Sequence, residues 1–284
     1  MAQQIPLSPE SIADLPHPDD HTSEIAPDLA YRRLAIVNVV FFGLPQSGDR
    51  KWVLIDTGVP GFTGRIERAA AERFGENARP AAIIMTHGHF DHIGCLKKLA
   101  EKWDAPIYAH ELELPFLNGS QSYPPPDTSA GGGIMPLLAP LFPRDPIDVS
   151  RWLRALPADG SVPEMPGWRW LHTPGHTVGH VSLWRENDRA LIAGDAFITT
   201  AQESAYAVAV QKEEMHGPPK YFTPDWDSAR ASVEKLAALE PELVVTGHGR
   251  AMRGAEMRGA LQALARDFDR IAVPESGKEH PHAT

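Results

Sequence analysis

Residues 81–94 read AAIIMTHGHFDHIG, a short apolar run that leads directly into three histidines and an aspartate. The first five residues are typical of a buried strand. In an extended chain beyond that strand, side chains two residues apart point to the same side, so His87 and His89 can bind one ion together. Asp91 and His92 fall where the chain turns into the next helix and can reach a second ion. Imidazole nitrogen and carboxylate oxygen suit zinc, and less often iron or manganese.

Three more residues of the same chemical kind follow later apolar runs. Each alone is ordinary loop chemistry, because Gly-Asp and Gly-His turns are common. Together with the first four residues they give seven candidate ligands on four loops at strand ends, where α/β proteins assemble their sites. The three residues are His176, Asp195 and His248, after the apolar runs 168–171, 190–193 and 243–246.

Strand and helix patterns alternate along most of the chain, which predicts an α/β fold. Residues 1–27 are polar and contain several prolines, so we expect an arm with little structure of its own. Residues 28–273 form the predicted catalytic domain, and 274–284 a frayed tail. The predicted strands are 34–42, 52–55, 81–85, 106–109, 168–171, 181–184, 190–193 and 243–246, and the predicted helices are 62–74, 96–103, 227–239 and 254–271.

The stretch 113–166 interrupts this alternation. It contains runs of three prolines (124–126) and three glycines (131–133) among many apolar side chains, so it has apolar surface to bury but no regular element to carry it. A mobile lid over the metal site or a contact segment for a partner subunit fits this composition, and a plain surface excursion fits it as well. The sequence is therefore compatible with a homodimer.

Composition indicates which partners and which cellular location to expect. The chain has 27 basic and 37 acidic residues, a formal net charge of −10 with histidine neutral, and no Lys or Arg block, which disfavours nucleic acid. An uninterrupted apolar stretch of about 18 residues is absent, so we expect no membrane span. The N-terminus lacks the features of an export signal, so we expect a cytoplasmic protein. The single cysteine, Cys95, excludes an intramolecular disulfide, and its apolar flank predicts a buried thiol.

The ordered set His-x-His-x-Asp-His, Thr-Pro-Gly-His, Gly-Asp and Gly-His resembles the signature of the metallo-β-lactamase superfamily. The turn Asp56-Thr57-Gly58 upstream matches too, and the similarity runs from about Tyr31 to Gly249. This resemblance implies a four-layer αββα sandwich, in which two sheets lie face to face with helices outside and metals at one edge.

The resemblance also implies a binuclear hydrolase with two Zn²⁺ ions per chain, iron or manganese being alternatives. A hydroxide that bridges the ions would be the nucleophile. Asp91 is implied as a catalytic residue that both binds metal and shuttles a proton. The implied ligands are His87, His89 and His176 for the first ion, Asp91, His92 and His248 for the second, and Asp195 for both.

The superfamily hosts many chemistries, so the fold does not choose the substrate. The missing export signal disfavours a β-lactam. Ile198 stands where lactonases that act on acyl-homoserine typically carry a tyrosine, and Ala196–Thr199 lacks the Gly-Cys-Gly-Arg of persulfide dioxygenases. We therefore expect an ester, lactone, thioester or related acyl bond in a small molecule. The alternatives are β-lactam hydrolysis, an iron-dependent thiol or persulfide oxygenase, and a non-catalytic metal-binding sensor.

Residues near the predicted ligands have predicted supporting roles. Ligating imidazoles need a partner on their second nitrogen, and Asp56, Thr86 and His180 are the candidates. For His180, a purely structural hydrogen bond is an equally good interpretation. The residues expected to line a substrate pocket are His216, Tyr221 and Phe197.

Overall fold

The computed structural model describes residues 5–13, 22–125, 147–200 and 213–274. The chain divides into two compact units, each containing a sheet and helices, which confirms the predicted α/β class. The N-terminal unit comprises residues 14–123 and 143–171, and the C-terminal unit comprises 1–13, 124–142 and 172–284.

The secondary structure of the described residues is as follows. In chain order, the strands are β1 (Ile5–Pro6), β2 (Ser23–Ala26), β3 (Leu29–Leu34), β4 (Val37–Phe42), β5 (Val53–Ile55), β6 (Ala82–Ile84), β7 (Ile107–Ala109), β8 (Leu153–Ala155), β9 (Trp168–His172), β10 (Val181–Arg185), β11 (Ala190–Gly194), β12 (Ile198–Thr200), β13 (Glu213–His216), β14 (Leu243–Thr246) and β15 (Met252–Arg253). The α-helices are α1 (Thr63–Phe74), α2 (Phe90–Ile93), α3 (Leu96–Trp103), α4 (Leu114–Leu117), α5 (Trp226–Ala238), α6 (Gly254–Arg266) and α7 (Phe268–Ile271). Short 3₁₀ turns cover Pro9–Ser11, Glu111–Glu113 and Lys220–Phe222.

The N-terminal unit is built on a sheet whose seven described strands, β2 to β8, lie side by side in chain order. Pairing is antiparallel from β2 to β5 and parallel from β5 to β8. The parallel pairing matters for the site, because the carboxyl ends of parallel neighbours lie at the same edge of a sheet. Asp56 follows β5 and Thr86 comes two residues after the end of β6, and the Asp56 backbone N–H donates to the Ile84 carbonyl at 2.9 Å.

The core of this unit forms where α1 and α3 cover one face of the sheet. Leu54 and Ile83 of the sheet belong to the same buried cluster as Ile66 of α1 and Leu99 of α3. Val53, which points to the opposite face, is also fully buried although it lies outside that cluster. Burial on both faces explains why β5 and β6 read as continuous apolar runs rather than as alternating patterns.

In the C-terminal unit, β15, β14, β11 and β10 lie side by side in that order, and β1, β13 and β12 form a second, smaller sheet. Strands β11 and β14 are parallel. Their carboxyl ends therefore share an edge, and the next residues along the chain bring Asp195 and His248 to it. Strand β9 leads the chain from the N-terminal unit into this unit.

Two predicted elements are wrong in detail. The predicted strand 34–42 is a hairpin of β3 and β4 that turns at Ala35–Ile36, where Ala35 has a φ of 59°. No glycine or proline marks this turn, so its apolar residues read as one run. The predicted helix 254–271 is divided at Asp267 into α6 and α7.

The predicted N-terminal arm has more structure than expected over its described residues. Strand β1 pairs with β13, and β2 pairs with β3. The Ser8 backbone N–H donates to Glu256 Oε1 at 2.9 Å, and the Ser11 hydroxyl donates to Glu256 Oε2 at 2.6 Å. These hydroxyl and backbone donors lower the pKa of the Glu256 carboxyl. The polar composition predicted little structure of its own, whereas strand pairing and one carboxylate acceptor hold the described residues of this segment in place.

The stretch 113–166 also departs from the expectation that it carries no regular element. Its described flanks contain α4 and β8, and β8 pairs with β7 in the sheet. Leu117 and Val149 are buried in the core of the N-terminal unit. Residues 126–146, which hold the apolar part of the proposed lid, lie outside the described residues, as does the tail from 275. Among the described helices none is long and apolar enough to cross a membrane.

Candidate metal centre

The loop after β6 and the short helix α2 that follows it bring four of the predicted ligands together. The ligand atoms of His87 and His89 lie within 4.8 Å of one another, and the same limit holds for His87 with His92 and for Asp91 with His92. The ring centroids of His87 and His92 are 4.2 Å apart. His87 and His92 are fully buried and Asp91 is 8% exposed. The spacing His-x-His-x-Asp-His therefore places its polar side chains in one cluster, as predicted.

Asp56 and Thr86 set the orientation of two of these imidazoles. Asp56 Oδ2 accepts from the Thr86 hydroxyl at 2.8 Å and lies 2.8 Å from His92 Nδ1. Thr86 Oγ1 lies 3.0 Å from His87 Nδ1. Because the Thr86 hydroxyl donates to Asp56, it can only accept from His87. Both Nδ1 atoms therefore carry the proton, which leaves the lone pair that a metal could bind on Nε2 of His87 and of His92.

The Asp56-Thr57-Gly58 turn packs backbone to backbone against the histidine loop. Both the N–H and the hydroxyl of Thr57 donate to the His92 carbonyl, each at 2.7 Å. The Gly94 N–H donates to the Gly58 carbonyl at 2.7 Å. A Cβ at Gly94 would lie 2.3 Å from the Pro60 nitrogen, so only glycine permits this approach. The turn thus holds α2, and with it Asp91 and His92, in place.

The C-terminal unit brings the other three predicted ligands together. Asp195 Oδ2 lies 3.4 Å from His176 Nε2 and 3.2 Å from His248 Nε2. All three side chains are at most 2% exposed. One carboxylate oxygen therefore faces two imidazole nitrogens. A cation bound by all three of these atoms would stabilise this arrangement.

Thr223 orients His176 and was missed by the sequence analysis. Its hydroxyl donates to the Pro219 carbonyl at 2.7 Å and lies 3.2 Å from His176 Nδ1. The hydroxyl can therefore only accept from His176, which leaves the lone pair that a metal could bind on Nε2. Thr223 is 47 residues from His176 in sequence, and no local pattern marks it.

His180 supports the backbone of Asp195. The Asp195 N–H donates to His180 Nε2 at 2.9 Å, so His180 carries its proton on Nδ1, 2.9 Å from Thr173 Oγ1. Thr173 Oγ1 lies 3.0 Å from Ser182 Oγ, whose hydroxyl donates to the Ala193 carbonyl at 2.9 Å. This series of hydrogen bonds begins at the Asp195 N–H and ends at the Ala193 carbonyl, two residues earlier in the sequence. It therefore holds the end of β11 and the turn that carries Asp195 in place.

The predicted pocket residues are all largely buried in the C-terminal unit. Phe197 is fully buried, whereas Tyr221 is 4% and His216 is 5% exposed. His216 Nε2 lies 3.4 Å from Glu214 Oε2, and Tyr221 belongs to the 3₁₀ turn Lys220–Phe222.

The donor set fits divalent first-row metals. Cys95 does not belong to it, because its thiol is buried, donates to the Val59 carbonyl at 3.2 Å and has a pKa that burial raises. This confirms the predicted buried thiol. The seven predicted ligands supply imidazole nitrogens and carboxylate oxygens without a thiolate, which suits zinc, iron and manganese.

Comparison with known proteins identifies the family. The chain belongs to the metallo-β-lactamase superfamily, whose family model matches residues 32–248. This confirms the resemblance found in the sequence, and with the structural neighbours it confirms the αββα sandwich class.

The curated relatives of this chain include probable metallo-hydrolases from Bacillus subtilis. The chain is 50% identical over 236 residues to the probable metallo-hydrolase YflN, which covers 83% of this chain and 89% of the relative. It is 32% identical over 204 residues to the probable metallo-hydrolase YybB, covering 72% and 78%.

Two solved structures are similar. A beta-lactamase domain protein from Burkholderia ambifaria is 20% identical with a TM-score of 0.62, covering 90% of this chain and 79% of that protein. The protein TTHA1623 in a di-iron-bound form is 25% identical with a TM-score of 0.52, covering 83% of this chain and 96% of that protein.

Proposed function

We propose that this chain is a binuclear metal-dependent hydrolase that cleaves an ester, lactone, thioester or related acyl bond in a small molecule. The observation that carries the proposal is the hydrogen-bonded trio of Asp56, Thr86 and His92, with His87 attached to it. These hydrogen bonds place the proton of two buried imidazoles on Nδ1, so that the lone pair on Nε2 of each could bind a metal. The relative YflN, 50% identical, carries the name probable metallo-hydrolase, which supports the same class.

Seven side chains would hold about two metal ions, because one zinc needs only three or four protein ligands. We assign the two ions as the family pattern implies, with the aspartate of the C-terminal unit shared. The ligands are His87, His89 and His176 for the first ion, Asp91, His92 and His248 for the second, and Asp195 for both. We expect zinc in both positions.

When bound, the two ions would acidify a water molecule and polarise the acyl oxygen of the substrate. The chain supplies the remaining functions. Asp56, Thr86 and Thr223 hold the ligating imidazoles in one tautomer, and His180 holds the backbone of Asp195. Asp91, on the first turn of α2, is the group that can hold and move a proton during the reaction.

A small acyl compound fits the chain better than a polyanion. The formal net charge of −10 repels phosphate-rich substrates. We propose that Tyr221 and His216, which keep a small exposed fraction, line the part of the site that receives the acyl group. The predicted third residue, Phe197, is fully buried, so we propose that it supports this part of the site from within the same unit.

The test uses the full chain, purified without added metal, then stripped by a chelator and reloaded with Zn²⁺. Each form is assayed against esters, lactones, thioesters, a β-lactam and a phosphodiester. We expect acyl-bond hydrolysis that is lost on stripping and restored by metal. Hydrolysis confined to the β-lactam or the phosphodiester would refute the substrate class, and metal binding without any turnover would favour the sensor alternative.

An iron enzyme is the second candidate, because the related TTHA1623 has a di-iron-bound form. The ligand set does not separate the two metals, since imidazole and carboxylate serve both. Elemental analysis of the protein as purified separates them. Iron as the main metal, together with oxygen consumption in the presence of a thiol substrate, would support the oxygenase alternative over hydrolysis.

A further inference from the structure

A buried carboxyl group contacts the backbone between the first two histidines of the metal loop. Glu113, at the end of the 3₁₀ turn that follows β7, is fully buried. The Gly88 N–H donates to Glu113 Oε2 at 2.9 Å. The Tyr123 hydroxyl donates to the same oxygen, and the Gly88 nitrogen also lies 3.0 Å from the Tyr123 hydroxyl oxygen.

The aromatic ring of Tyr123 acts on the next residue of the loop. Its centroid lies 4.5 Å from the His89 imidazole, at an interplanar angle of 57°. On the other side the ring stacks on Phe116 at 4.0 Å and 10°. Tyr123 therefore contacts Gly88 through its hydroxyl and His89 through its ring, while Phe116 restrains the ring.

A side chain at Gly88 would force the Tyr123 hydroxyl to move. A Cβ there would lie 2.8 Å from the Tyr123 hydroxyl oxygen and 3.4 Å from Glu113 Oε2. The glycine between the two histidines thus allows the pair to approach the backbone itself. A backbone contact of this kind sets the direction of the peptide, and with it the relative direction of the flanking side chains.

We infer that Glu113 and Tyr123 are positioning residues that hold the His89 imidazole in the orientation in which it can bind the first metal ion together with His87. The inference rests on the proposed function, because it takes His87 and His89 as ligands of one ion. Anchoring the Gly88 N–H fixes the peptide between them, and the Tyr123 ring restricts rotation of the His89 imidazole. Outer partners of this kind typically change metal affinity about 10–100-fold when removed.

The experiment measures Zn²⁺ affinity of the metal-free full chain by competition with a chromophoric chelator. Glu113→Met removes the acceptor at similar length, Glu113→Gln keeps an acceptor oxygen, and Tyr123→Phe removes only the hydroxyl. Glu111→Gln, at an exposed position on the same 3₁₀ turn, is the matched control.

We expect Glu113→Met to lower the affinity for one of the two Zn²⁺ equivalents about 10–100-fold. The affinity for the other equivalent should stay within about threefold of the wild type. Glu113→Gln should recover most of that loss, and Tyr123→Phe should weaken the same equivalent about fivefold, the contribution of one hydrogen bond. The control should match the wild type. If Glu113 had only a structural role, Glu113→Met would instead lower the affinity for both Zn²⁺ equivalents and the thermal stability together. Glu113→Gln would then not restore the affinity of one equivalent alone.

Unchanged affinity for both equivalents in Glu113→Met and Tyr123→Phe overturns the inference while leaving the proposed function intact. A wild-type chain that binds no Zn²⁺ overturns both. If Glu113→Met does not fold, Tyr123→Phe decides alone, since it keeps the ring and its stacking on Phe116. Circular dichroism of the metal-free variants establishes which case applies.

Discussion

Replacing Asp56 by asparagine is predicted to impair metal binding without disturbing the fold. Asparagine keeps the size of the side chain, and it tolerates the left-handed backbone of this position, where φ is 58°. What changes is the hydrogen-bond pattern. The carboxylate accepts from the Thr86 N–H at 2.9 Å and the Thr86 hydroxyl at 2.8 Å, and it pairs with His92 Nδ1 at 2.8 Å.

Neither orientation of the new amide satisfies these partners. With its nitrogen at the Oδ2 position, the amide donates to His92 Nδ1, which moves the imidazole proton to Nε2 and blocks the ligand atom. With its nitrogen at the Oδ1 position, it faces the buried Thr86 N–H, and leaving that donor unsatisfied costs about 1–3 kcal/mol. We therefore expect Zn²⁺ affinity to fall about 10–100-fold, which is about 1.4–2.7 kcal/mol of binding free energy.

The assay is chelator competition on the metal-free protein, with urea unfolding of the same samples to measure stability. The matched control is Asp49→Asn, which removes an exposed carboxylate of the same unit that pairs with Arg79 at 2.7 Å. Hydrogen bonds from Arg79 hold the pKa of Asp49 well below its usual range, so the control variant removes a charged carboxylate. Zn²⁺ affinity of Asp56→Asn equal to that of Asp49→Asn would refute the role assigned to Asp56.

Three further results are expected. Asp91→Asn should lower kcat at least about a hundredfold at saturating metal, as a group with an acid–base role requires; activity within a fewfold of wild type would exclude that role. Gly94→Ala, whose Cβ would meet the Pro60 nitrogen at 2.3 Å, should lower the unfolding free energy by about 2–3 kcal/mol, whereas Gly64→Ala, with open space around its Cβ, should not. Burial raises the pKa of the Cys95 thiol, so Cys95 should resist iodoacetamide at pH 8 until the chain unfolds. Because the pKa is higher in the folded chain, the thiol's contribution to stability is fully present below its unfolded pKa and is lost as the pH rises through the folded pKa.

Local patterns predicted the parts of this protein that depend on neighbours in sequence. The helix predicted over 96–103 is α3 with the same bounds, because its apolar spacing is helical throughout. The His87–His92 cluster was predicted for a similar reason, since an extended segment and one helical turn already bring its side chains close together along the chain. The turn at Ala35 was missed because apolar residues on both sides of it are buried and no turn residue marks it.

Roles that depend on distant contacts could not be predicted. Thr223 and His176 are 47 residues apart, and Glu113 is 25 residues from Gly88. Nothing in the immediate sequence of either residue distinguishes it from an ordinary polar side chain. Asp56 was predicted as a partner because ligating imidazoles need one on their second nitrogen, although its pairing with both Thr86 and His92 required the structure.

The proposed two-ion site depends most on Asp195, because this aspartate would bind both ions. The most direct measurement is elemental analysis of the Zn²⁺-reloaded chain, wild type and Asp195→Asn, after removal of unbound metal. We expect about two ions per wild-type chain, since seven candidate ligands exceed the three or four that one zinc needs, and at most about one ion in the variant. One ion per chain in both proteins would contradict the proposal.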